Sequence, residues 1–68
     1  MSAIIRQLKE AEELVRRAEN THRLTDRFHW LKCAASLYNA AGSKTLAEIA
    51  ETKAEEARKL LERSIYRD

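Results

Sequence analysis

The stretch FHWLKCAASLYNAAG, Phe28 to Gly42, decides the fold. At 100° per residue, Phe28, Trp30, Leu31, Ala34, Ala35, Leu37, Tyr38 and Ala41 fall on one arc covering roughly half of a helix. His29, Lys32, Ser36 and Asn39 take the other side. A single neighbour needs a narrower stripe, so an arc this wide predicts a middle helix packed against two others. Gly42 follows in the position favoured for a left-handed C-cap. Thr25 or Asp26 can cap the start, and an acid there suits the helix dipole.

Working upstream, Ile4, Leu8, Ala11, Val15 and Ala18 recur at spacings of four and three, with Leu14 widening the stripe. This is one face of a first helix. Ser2 can cap it, and Glu12 to Arg16 and Glu13 to Arg17 are i,i+4 pairs in the better orientation. Four residues beyond Ala18 the stripe lands on His22, and Leu24 is out of phase, so the helix ends between Asn20 and Thr25.

Downstream, TLAEIAE (Thr45 to Glu51) reads like the first helix of a DNA-binding helix-turn-helix. That motif would place a turn glycine near Ala54. The chain instead continues ETKAEEARKLL, all helix formers, with Glu55, Glu56 and Glu62 where phosphates would be repelled. One continuous third helix is expected. It begins after Ser43 or Thr45, with Thr45 and Glu48 forming a capping box. Leu46, Ile49, Ala50, Ala57, Leu60 and Leu61 are its predicted buried stripe, flanked by Ala54 and Ile65. Lys53 points into that stripe, its stem packing and its ammonium reaching out. Glu55 to Lys59 adds an i,i+4 pair.

Three helices, at about residues 3–21, 26–41 and 45–66, with short connections, give an all-α, antiparallel up-down-up three-helix bundle. With 68 residues, the chain is one domain at most, and it has no room for a deep enclosed pocket. One Gly, no Pro and 35% charged residues are a helical composition, without hairpin signals. The single Cys33 cannot form an internal disulfide, which points to a reduced, cytoplasmic setting. The opening MSAIIRQLKE lacks an apolar run of signal-peptide length, and no segment approaches membrane-spanning length, so no membrane insertion is expected.

Catalytic and metal chemistry are poorly supplied. Asp26, His29 and Cys33 can share a helix flank, with His22 near by, but zinc wants three or four ligands of fixed geometry. A thiolate nucleophile wants a base and a water-poor site. We therefore expect no enzyme, no metal and no cofactor. Net charge is only +2, yet Arg16, Arg17, Arg23, Arg27 and Lys32 cluster about the first interhelical turn. Such a patch could meet nucleic-acid phosphates.

The segments AEELVRRAE (Ala11–Glu19), AASLYNAAG (Ala34–Gly42) and KAEEARKLLERS (Lys53–Ser64) resemble the microtubule-interacting-and-transport domain, a three-helix bundle related in packing to tetratricopeptide hairpins. The family has a short glycine-containing turn after its first helix, where this chain has NTHRLTDRF. The resemblance implies a partner peptide bound in a groove beside the third helix, at Leu46, Ile49 and Lys53. Trp30 is added as a possible anchor. The expected function is a non-enzymatic protein-protein interaction module or adaptor, binding a peptide or forming a homodimer. The alternative is nucleic-acid binding through Arg16 to Lys32.

Overall fold

The computed structural model describes residues 3–65. They form α1 (Ala3–Asn20), α2 (Leu24–Ala40) and α3 (Lys44–Ile65). The expected cap at Ser2, the helix end at Tyr66 and the side chain of Ile65 lie outside the described residues. Ala11 packs with Ala34, Ala35 and Tyr38, whereas Ala18 packs with Leu31, so α1 and α2 run antiparallel. Ala47 and Ala50 join the first of these clusters and Ala54 the second, so α3 is antiparallel to α2 in turn. The protein is an all-α three-helix bundle with α2 in the middle.

The bundle is open. Its principal extents are 50 × 19 × 11 Å, and α1 and α3 each lean on α2 but scarcely on each other. The reason lies in the contacts. Among the described residues, nine other than Tyr38 are buried and apolar, and eight of them are alanines; only Leu31 among these is both large and fully buried. Small side chains let α1 and α3 approach α2 closely. They leave no large apolar side chain packed between α1 and α3 among the described residues, and the exposed Lys53–Glu19 ion pair crosses the gap instead.

This arrangement corrects the predicted stripe of the third helix. Ala47, Ala50, Ala54 and Ala57 face α2, while Leu46, Ile49 and Leu60 remain 42–48% exposed. They sit on the flank that α1 would have to cover, and α1 is too far away. Ile4, expected on the buried stripe of α1, is 50% exposed. With Ala11 opposite Ala35, Ile4 falls beyond the end of α2 at Ala40. Trp30 and Phe28 are only half-buried, whereas Tyr38 is core.

The ends of the helices differ from expectation in detail. α2 starts at Leu24, with extended Arg23 as N-cap and no side-chain cap bond. Thr25 and Asp26 therefore lie inside its first turn. Of the two expected starts of α3, the one after Ser43 is found, so Thr45 lies inside the helix and not at its cap. Glu13 takes both Arg16 and Arg17, in place of the expected Glu12 to Arg16 pair. Glu55 pairs with Arg58 rather than Lys59.

Two devices hold the turns. Arg27 donates from Nε to the Ala18 carbonyl (3.1 Å) and from a terminal nitrogen to the Thr21 carbonyl (3.0 Å). A cation thus satisfies acceptors at the negative end of α1. After α2, Ser43 N–H donates to the Tyr38 carbonyl (2.8 Å) and Gly42 N–H to that of Asn39 (3.0 Å). This is a Schellman motif, and Gly42 supplies its left-handed residue at φ 85°.

No atom crowds the place where a Cβ would stand on Gly42. Gly42→Ala should therefore cost only the backbone penalty, about 1–2 kcal/mol, read as a lower urea midpoint with unchanged slope. Ala35→Leu should cost about 1–3 kcal/mol by overpacking the α1–α2–α3 junction; a neutral result would mean the helices are not in close contact there.

Candidate functional site

Because α1 and α3 stand apart, a trough runs between them with α2 as its floor. At one end it is lined by Ala18 and Glu19 of α1, Arg27 and Leu31 of α2, and Lys53, Glu56, Ala57 and Leu60 of α3, enclosing about 260 Å³. That is below the usual range of small-molecule pockets, about 300–1,000 Å³, and it is open to solvent along its length. A shallow hollow continues along α3 past Thr45, Glu48, Ile49 and Thr52. Its apolar rim consists of Leu46, Ile49 and Leu60, separated by helical spacing.

Lys53 spans the trough. Its ammonium lies 2.9 Å from Glu19, and both side chains are about half exposed. A pair so exposed contributes roughly 0.2–1 kcal/mol. It positions two charges more than it stabilises the fold. Tyr38 lies farther along the floor, within electrostatic reach of Glu12 on α1 and Lys53 on α3. Burial raises its phenol above the ordinary 10.0, the Glu12 carboxylate adds to this, and the Lys53 ammonium opposes it. All three helices therefore contribute groups to one floor.

The predicted partner-binding residues are only partly brought together. Leu46, Ile49 and Lys53 share the α3 flank. Trp30 does not join them: it lines a separate depression with Glu13, Arg16, Arg17, Asn20 and Thr21. Sequence reasoning missed Glu19, which meets Lys53 from 34 residues away, and no local signal could have paired them. It assigned Leu60 to the core, though the equal spacing of Leu46 and Leu60 about Lys53 marks them as one stripe.

The basic cluster is dispersed. Arg27 is turned inward onto carbonyls of α1 and its turn. Lys32 meets Glu51 at 3.4 Å, and Arg16 and Arg17 share Glu13. Arg23 is exposed at the turn. On the far flank, Cys33 Sγ lies 3.8 Å from His29 Nε2, and His29 is exposed. Among the described residues, no group of three His, Cys, Asp or Glu side chains could hold a metal ion, and no helix is long and apolar enough to cross a membrane.

Comparison with protein-family models, with curated proteins and with solved structures finds no match for the chain.

The trough geometry can be titrated. In a Tyr66→Phe background, phenol absorbance should give a Tyr38 midpoint above 10.0, lower with Glu12→Gln and higher with Lys53→Met. Since the folded value is raised, this burial stabilises the fold below pH 10 and is lost as pH rises through the Tyr38 midpoint. Tyr38→Phe should accordingly move alkaline loss of helical circular dichroism to higher pH. A midpoint equal to that of free tyrosine would mean the floor is open to water.

Proposed function

We propose that the protein is a non-enzymatic interaction module, or adaptor, that receives an apolar helix or peptide on the α3 side of its trough. One observation carries this reading: Leu46, Ile49 and Leu60 are each nearly half exposed along one flank of α3. Leu46 and Ile49, three residues apart, and Leu60, eleven further on, share one helical face beside a groove, which suits helix-in-groove recognition. Lys53 and Glu19 supply charges at the middle of the groove that orient an incoming segment. The likeness to microtubule-interacting-and-transport domains leads to the same flank. The free Cys33 suits a reducing, cytoplasmic setting.

A nucleic-acid reading has one observation in its favour. Trp30 is half-buried beside Arg16 and Arg17, an aromatic next to two cations. Against it, four of the five basic groups of this region already meet protein acceptors. Displacing these from a carboxylate or carbonyl reduces the gain from each phosphate contact.

Helical peptides selected from a displayed library against the full chain separate the two readings. Binding should be lost with Ile49→Glu, kept with Arg16→Ala plus Arg17→Ala, and little changed between about 50 and 200 mM salt, where several phosphate contacts would cost about 10³-fold or more. Selection of no peptide, together with salt-sensitive binding of a single-stranded oligonucleotide that requires Arg16 and Arg17, would replace the interaction reading by the nucleic-acid one.

A further inference from the structure

We infer that the occupant of the α3 flank is a second copy of this chain, joined through an antiparallel α3–α3 pair whose two-fold axis passes at Lys53. The inference rests on the interaction reading above and names its partner.

The first argument is area. The chain exposes 5242 Å². A compact monomer of its mass, 7.9 kDa, exposes about 4,400 Å² by the scaling of surface with mass. The surplus of roughly 800 Å² is what each partner buries in an interface of standard size. The surplus has a structural origin. The core is mostly alanine, and burying an added CH₂ is worth about 0.8 kcal/mol against about 1.5–3 kcal/mol for a whole leucine or isoleucine side chain. The large aliphatic side chains that a small domain needs inside are here on the α3 flank, and small scaffolds commonly make up such a deficit by oligomerising.

The second argument is symmetry. Leu46, Ile49, Lys53, Ala57 and Leu60 stand at −7, −4, 0, +4 and +7 about Lys53. A two-fold interface requires one patch to complement its own reversed image, and this stripe reads the same spacing in both directions. Antiparallel pairing sets Leu46 against Leu60 of the second copy, and Ile49 over Ala57, whose methyl is buried at the α2 edge of the stripe and forms the floor of the hollow. The hollow at that place is ready-made. Lys53, Glu56, Ala57 and Leu60 line one side of the trough end. Their i, i+3, i+4, i+7 spacing is the four-residue hole that accepts one knob in helix pairing. Ile49, 48% exposed, is the knob.

The third argument is charge. A lysine on a two-fold axis faces its own image, which alone would repel. Each Lys53 arrives with Glu19 already at 2.9 Å, so the axis holds two ammonium and two carboxylate groups. Two such pairs brought together alternate in sign and carry no net charge.

Sedimentation equilibrium of the full chain should give twice the 7.9 kDa monomer mass at about 100 μM. Ile49→Glu should give a monomer with unchanged helical circular dichroism. In a Cys33→Ser background, Lys53→Cys should form a disulfide-linked dimer on mild oxidation, because a residue on the axis meets itself. Leu46→Cys alone should not, while Leu46→Cys with Leu60→Cys should. A dimer that survives Ile49→Glu and fails to cross-link at position 53 overturns the α3 pairing. A wild-type monomer that still takes a helical peptide at Ile49 overturns the second copy as occupant and leaves the interaction reading intact. A wild-type monomer that takes none overturns both.

Discussion

The contact on which the structure depends is alanine against α2. Ala11 and Ala18 from one side, and Ala47, Ala50, Ala54 and Ala57 from the other, bring two helices close to a shared third. Close approach yields dense packing between backbones and little buried side-chain surface. The same choice that makes the two α2 contacts tight therefore leaves α1 and α3 with little packing between them. The open trough is a consequence of the small residues and not an independent feature.

Electrostatics does different work at different places. Arg58 is held by Glu55 and Glu62 on the exposed side of α3. The hydrogen bond from Arg58 lowers the Glu55 carboxyl, and the same contact raises the guanidinium. These charges face water and favour the helix above the carboxylate range, with the contribution lost as pH falls through the lowered Glu55 value. Lys53 and Glu19 link two helices that otherwise scarcely meet. Arg27 neutralises a helix end. Two sets of ion pairs and one cation on backbone carbonyls thus support a helix, a groove and a turn.

Much of the fold was legible in the sequence. The half-circumference arc on Phe28 to Ala41 placed the middle helix, and Gly42 placed its end. The lack of a glycine near Ala54 made the third helix continuous. What periodicity could not tell was which part of an apolar arc meets a neighbour. Leu46 and Ile49 share a face with Ala50 on a wheel, and only the distance between α1 and α3 separates buried from exposed. The first helix starts where expected, at Ala3, and the third after Ser43, one of its two expected starts, whereas the second starts two residues early, at Leu24, because Thr25 and Asp26 are suitable caps that the chain does not use. At the candidate site, spacing put Leu46 and Ile49 on a buried stripe, and it was the family resemblance that named them with Lys53 as a binding flank; Leu46 and Ile49 are both exposed. Trp30, named with them, lines a different depression beside Arg16 and Arg17, since a wheel records angle and not which side of α2 a neighbour takes.

Arg27 has a meaning beyond its hydrogen bonds. The second turn is set by the backbone of one glycine, which admits little adjustment. The first is set by a side chain that reaches from α2 back to the Ala18 and Thr21 carbonyls. One long cationic side chain thus ties the end of α1 to α2 and at the same time lines the end of the trough. The joint and the groove share a residue, so a change at Arg27 would be felt in both.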